Sequence, residues 1–184
     1  MDDSQARYFD ALHEVARTVN STLNADEVLS KIVKAATEAT DAKGCSVMLL
    51  DDEKKHLVHS ASYGLSDQYL HKGEILADRS LADALKGEPV AISDISNDRR
   101  IQYRAEAEKE GIGSMLCVPL AVRDVVTGVI RVYWPRKEDF SANTVKLLAA
   151  IANLSAIAID NSHMHDSLRK AYDACRQELW HWQP

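Results

Sequence analysis

Across residues 4–21, Tyr8, Leu12, Val15, Ala16 and Val19 recur at helical spacing on one face. The pattern breaks at Ser21-Thr22-Leu23. Asn24 then reads as an N-cap with Glu27 three residues on, and Leu23 and Val28 take the positions of a hydrophobic staple around it. A second helix follows through Leu29, Ile32, Val33 and Ala36, with Gly44 as its expected left-handed stop. Residues 45–50 are apolar on both faces, which predicts a central strand. Residues 56–63 alternate, Leu57 and Ala61 on one face and Val58 and Ser60 on the other, as an edge strand would.

Between residues 64 and 113 the pattern loosens. Short helices are expected over 80–85, ending at Gly87, and over 103–110, ending at Gly111, with a strand over 89–94 between them. Loops and short helices over one face of a sheet are a common setting for a small-molecule pocket. Two strong strands follow, 114–120 and 125–134, separated by the polar reversal Arg123-Asp124.

A single long helix is then predicted over 141–179, with Phe140 and Val145 as its staple. Leu147, Ile151, Leu154, Ala158, Asn161, His165, Leu168, Tyr172, Cys175 and Leu179 step alternately by four and three, a heptad seam. Leu148, Ala152, Ser155 and Ile159 add a second stripe early in the helix. Two readings apply to Asn161 and His165. Either the helix leaves the core there and both are solvated, or they occupy core positions of a parallel homodimer, in which Asn161 fixes register and His165 weakens pairing as the pH drops toward about 6.

The totals narrow the class. At 184 residues with 46% hydrophobic content the chain supports one domain with appendages. We divide it into an N-terminal helix (1–20), a central domain (21–164) and a helical extension (165–184). The net charge of −6 argues against a nucleic-acid partner. No unbroken apolar run approaches the roughly 20 residues of a membrane span, and the acidic start lacks signal-peptide character, so a cytoplasmic setting without a membrane partner is expected. Cys45, Cys117 and Cys175 are widely spaced and form neither a disulfide framework nor a zinc motif. His56 and His59 point to opposite faces of a strand, and His163 and His165 do not share a helix face. No metal site is expected.

Strand alternation gives the sharpest site inference. If Ile130 and Val132 face the helices, then Val129, Arg131 and Tyr133 face the loops. An arginine there is costly unless paired. It either forms a structural ion pair with Asp94 or a nearby loop acid, or clamps an anionic ligand in a pocket walled by Tyr133, Cys117 and Tyr103.

The run Glu110-Gly111-Ile112-Gly113-Ser114-Met115-Leu116-Cys117-Val118-Pro119-Leu120, then Gly128-Val129-Ile130, Phe140 and residues 147–161, resembles the GAF domain, a small-molecule sensing module of signalling proteins. Ala61-Ser62-Tyr63-Gly64-Leu65, Gly87-Glu88-Pro89-Val90 and Asp94 are also similar. The resemblance covers about residues 12–164. It implies an α+β fold of layered α/β/α type. A central antiparallel sheet of five to six strands carries the terminal helices on one face, often as the dimer, and a loop-covered pocket on the other. It also implies that Pro119 is tolerated within its strand.

Where family members often carry G-x-G-x-x-G, this chain reads Gly73-Glu74-Ile75-Leu76-Ala77-Asp78, a stiffer loop. The cyclic-nucleotide signature is absent from 97–110, no cysteine has the histidine neighbour of bilin-binding members, and nothing selects a haem ligand. Members that reduce free methionine sulfoxide use cysteines in the pocket-covering loops, and residues 64–113 hold none. Ser80 and Ser114 lack triad partners. No cofactor and no catalytic residue are therefore expected.

The expected function is a sensory domain that binds a small molecule and signals through dimeric helices, in a two-component-like setting, to an effector such as a kinase or cyclase. A ligand-free dimerisation scaffold is the alternative, and a small redox enzyme on this fold is a more distant one. Trp180 and Trp182 near the end of the chain read either as a docking surface or as a frayed terminus.

Overall fold

The computed structural model describes residues 3–77 and 82–180. Helices α1 (Asp3–Val19) and α2 (Ala25–Ala39) lead into strands β1 (Gly44–Leu50) and β2 (His56–Tyr63). A single turn, α3 (Asp67–Leu70), and a two-residue strand, β3 (Ile75–Leu76), follow. Then come a 3-10 turn (Ala84–Lys86), β4 (Val90–Ile92), α4 (Arg104–Lys109), β5 (Ser114–Val122), β6 (Val125–Trp134) and the long α5 (Ala142–Trp180). All six strands join one antiparallel sheet in the order β3-β2-β1-β6-β5-β4.

Asn24 caps α2 as predicted, its side chain accepting from the Glu27 amide at 3.1 Å. The end of that helix differs from expectation. Asp41, not Gly44, takes the left-handed conformation (φ 52°). The Ala42 amide donates to the Thr37 carbonyl at 3.0 Å, closing a Schellman turn. Gly44 instead opens β1, where a Cβ would lie 2.7 Å from the Tyr63 carbonyl oxygen.

β1 is central, and β2 meets β3 only at His56 and Leu57, so most of its length is an edge. Its faces are not a simple alternation. Val47 pairs Ala61 while Met48 pairs His59, so Ser60 forms a bulge. Leu57 therefore packs on the loop side and Ala61 on the helix side, a correction to the shared face read from spacing. Pro119 sits beyond the last β4 pair, Val90 with Cys117, so one flank of β5 has no ladder to supply at that point. Arg123 and Asp124 both have positive φ (49° and 66°), closing the β5–β6 hairpin as a primed turn without glycine.

The sheet separates two apolar clusters. Behind it, α1, α2 and α5 bury Val15, Ile32, Val33, Leu148 and Ile151 against Val47, Leu116, Ile130 and Val132. Ser141 caps α5 by accepting from the Thr144 amide at 3.1 Å, and the Phe140 ring packs at a tilt against Trp134, centroids 4.9 Å apart. In front, Met48, Leu57, Tyr69, Ile75, Cys117 and Tyr133 form the second cluster under the short helices. By length and composition α5 is the one described helix able to cross a bilayer. Its apolar half is packed on this sheet.

The seam predicted along α5 splits. Leu147, Ile151 and Ala158 are buried in the chain's own core and are not free to meet a partner, because α1, α2 and the sheet already cover them. Leu154 is half-buried, while Asn161, His165, Leu168 and Tyr172 are exposed. Ile157 and Met164 are exposed as well, so the outward stripe runs Ile157, Asn161, Met164, Leu168, one residue off the predicted line at two places. The side chains of Leu179 and Trp180, and all of Trp182, lie outside the described residues, as do Asp78, Ser80 and the start of the helix expected over 80–85.

Candidate functional site

Alternation along β6 sends Arg131 to the loop side, where it is 5% exposed. Its register neighbours are Ser46 on β1 and Cys117 on β5, both fully buried. Tyr133, one pleat along on the same face, shares a 3.1 Å hydrogen bond with the Ser46 hydroxyl. The centre of this face is therefore polar within an apolar frame. Burial pushes the Cys117 thiol up, against the pull of the Arg131 charge. Burial likewise raises Tyr133, with the same opposing charge.

A lid of loops covers that centre. Ser66 caps α3, its hydroxyl accepting from the Tyr69 amide at 3.2 Å. The Ser66 amide and hydroxyl both donate to Glu110, which also pairs with Lys43 at 3.3 Å. This ties α3 to the end of α4. Tyr69 then stands edge-on to Tyr133, ring centroids 5.9 Å apart. Next, Gly73 adopts φ 132°, and the Tyr103 hydroxyl would lie 2.5 Å from any Cβ there. The glycine retained from the family pattern is thus required by both conformation and contact.

The segment after Gly73 is latched. Tyr103 Oη and Gln102 Nε2 both donate to the Glu74 carbonyl, at 2.8 and 2.9 Å, and Gln102 Oε1 accepts from the Leu76 amide at 3.2 Å. Beneath the latch lies a cavity of about 20 Å³ lined by Tyr69, Lys72, Ile75, Ile101, Gln102, Tyr103, Met115 and Arg131. That is room for one water molecule.

Four of the five residues predicted for the pocket therefore share one face: Arg131 and Tyr103 line the cavity, with Cys117 and Tyr133 beside them. Asp94 does not join them. β4 ends at Ile92, and the Asp94 carboxylate is bonded to Lys137 (2.6 Å), Ser96 and Asn97. The Lys137 ammonium, aided by those two residues, holds it well below the usual carboxylate range. Asp94 anchors a surface turn, so the proposed pairing with Arg131 is corrected.

Two residues not predicted for the pocket join this face, His59 and Lys72. His59 lies on the loop side of β2, and both its ring nitrogens are buried without a hydrogen-bond partner. Burial, then the charges of Lys72, Arg131 and His71, lower it from 6.5 to about 4. Between those values the unfolded chain binds the extra proton, so stability is present above about 6.5 and falls as the pH drops toward 4. Urea titrations should show the midpoint declining across that window and a shallower decline in His59→Phe. An identical slope in the variant would contradict this assignment.

A six-stranded antiparallel sheet with three helices behind it and a latched loop layer in front defines an α+β domain of one recognisable class. The chain belongs to the GAF domain family, whose model matches residues 22–160. It is 25% identical over 171 residues to the methyl sulfide methyltransferase-associated sensor of Methanosarcina acetivorans, covering 89% of this chain and 17% of that protein. The chain thus spans about a sixth of that sensor's length. Among solved structures it resembles the GAF domain of a phosphoenolpyruvate-protein phosphotransferase from Coxiella burnetii (TM-score 0.79, 19% identity, 90% of this chain and 99% of that one). It also resembles the free methionine-R-sulfoxide reductase from Neisseria meningitidis in complex with its substrate (TM-score 0.75, 19% identity, 90% and 95%).

Proposed function

We propose that this GAF domain is the sensory unit of a signalling protein, taking a small molecule on the loop side of its sheet and reporting occupancy through α1 and α5. The observation that carries the reading is Arg131: a permanent charge at the centre of a sheet, under a lid held by separable hydrogen bonds. A face needed only for packing is better served by an apolar residue. The sensor relative supports a regulatory role. Output would run through the outward stripe of α5, Ile157, Asn161, Met164 and Leu168, together with Phe9 on α1, which is 70% exposed. These suit pairing with a second copy.

Arg131→Ala is expected to abolish the thermal stabilisation that a co-purified or screened ligand gives the parent protein. Full stabilisation of the variant would end the assignment. The second reading, a ligand-free dimerisation scaffold, is favoured by one specific observation: Ile75, Gln102 and Tyr103 leave only about 20 Å³ beneath them. The two readings part on whether the Glu74 latch opens.

A further inference from the structure

Lys72 follows the single turn of α3 and folds back against it. Its ammonium stands 3.8 Å from the Tyr69 ring centroid and donates to the Tyr69 carbonyl at 2.9 Å, which uses one of its three N–H donors. Among the described residues no carboxylate lies within ion-pair distance of it. Glu106 and Glu110 act on it only from farther away, and Glu110 is already bonded to Ser66 and Lys43. Burial, then the Arg131 charge, lower Lys72 from 10.5 to about 8. Lys72 and Arg131 line one cavity, and the charges of both reach the unpartnered ring of His59.

Desolvating an ammonium and two ring nitrogens is costly unless acceptors and donors meet them. A cationic ligand would be repelled by Lys72, and a neutral one would leave its ammonium without a counter-charge. We propose that the ligand of this face is a small organic anion whose oxyanion, carboxylate or phosphate, is bound by Lys72 and a ring N–H of His59 beside Arg131. This rests on the reading that the face takes a ligand at all. Anything larger than a water needs the Tyr103 and Gln102 bonds to the Glu74 carbonyl to open, so the described form is the closed one.

The test is thermal denaturation and histidine side-chain NMR of the intact chain with sodium succinate, sodium phosphate, neutral succinamide and sodium chloride at matched ionic strength. One or both oxyanions are expected to raise the melting temperature and move the His59 ring signals, while succinamide and chloride do neither. The responding salt assigns the head group. Lys72→Met should weaken that binding about tenfold or more, yet melt no lower than the parent without anion, as a purely structural ion would not allow. His59→Phe should weaken it too. Equal binding of succinamide, or full affinity in Lys72→Met, would overturn the proposal. If no oxyanion binds while native mass spectrometry finds a neutral molecule on the protein, the anion class falls and the ligand-binding reading stands. If the protein is bare and no probe binds, both fall.

Discussion

Gly128→Ala is expected to lower the free energy of unfolding by about 3 kcal/mol. Gly128 pairs Leu49 on one side and Leu120 on the other, in the middle of the sheet. A Cβ there would sit 2.3 Å from the Met48 carbonyl oxygen and 3.0 Å from Leu49 Cα. Both are backbone atoms, so no rotamer change relieves the contact, and β1 and β6 must separate. The control is Gly87→Ala, whose Cβ meets nothing within 4 Å but whose φ of 96° is strained. It should cost only about 1 kcal/mol. Chemical denaturation of the two variants separates close approach from backbone conformation. Equal losses would show that the β1–β6 contact is not what requires glycine at position 128.

Trp134→Ala should cost about 3–5 kcal/mol, for a different reason. Trp134 ends β6, is 3% exposed, packs against Phe140 just before α5 and donates from Nε1 to the Thr40 carbonyl at 3.1 Å. One side chain thus joins the sheet to the end of α2 and the entry of the long helix. Trp134→Phe keeps most of the packing and loses the hydrogen bond, so about 1–2 kcal/mol is expected. Urea unfolding of both variants checks the ordering. A Phe variant as damaged as the Ala variant would mean that the hydrogen bond outweighs the ring.

Much of the architecture was legible because its elements are long or capped. Eight of the ten residues of β6 are β-branched or aromatic, and its alternation placed Arg131 and Tyr133 on the loop side. The Asn24 cap and the 3.6-residue period of α2 fixed that helix. The one-turn α3 and the two-residue β3 escaped, since periodicity has no purchase on so few residues, and Ser66, Tyr69 and Lys72 went with them. The Ser60 bulge was invisible for a related reason: one inserted residue reverses every later side chain, and no local signal announces it.

His59 was read as one of two histidines on opposite strand faces, which is correct, but its isolation among cations is a tertiary fact. Lys72 had no apolar pattern to mark it. Asp94 was read as an ion-pair partner for Arg131, whereas Ser96, Asn97 and Lys137 claim its carboxylate in a surface turn. The α5 seam went astray where two apolar stripes overlap. Ala158 and Ile157 are adjacent, and only the packing of α1 and α2 decides which of them is covered.

The proposed function requires a loop face that holds a small molecule and terminal helices that pair between copies. Native mass spectrometry of freshly purified protein reads both at once. Twice the chain mass, with added mass that is lost in Arg131→Ala, is the expected result. A bare chain at single mass at micromolar concentration would contradict it.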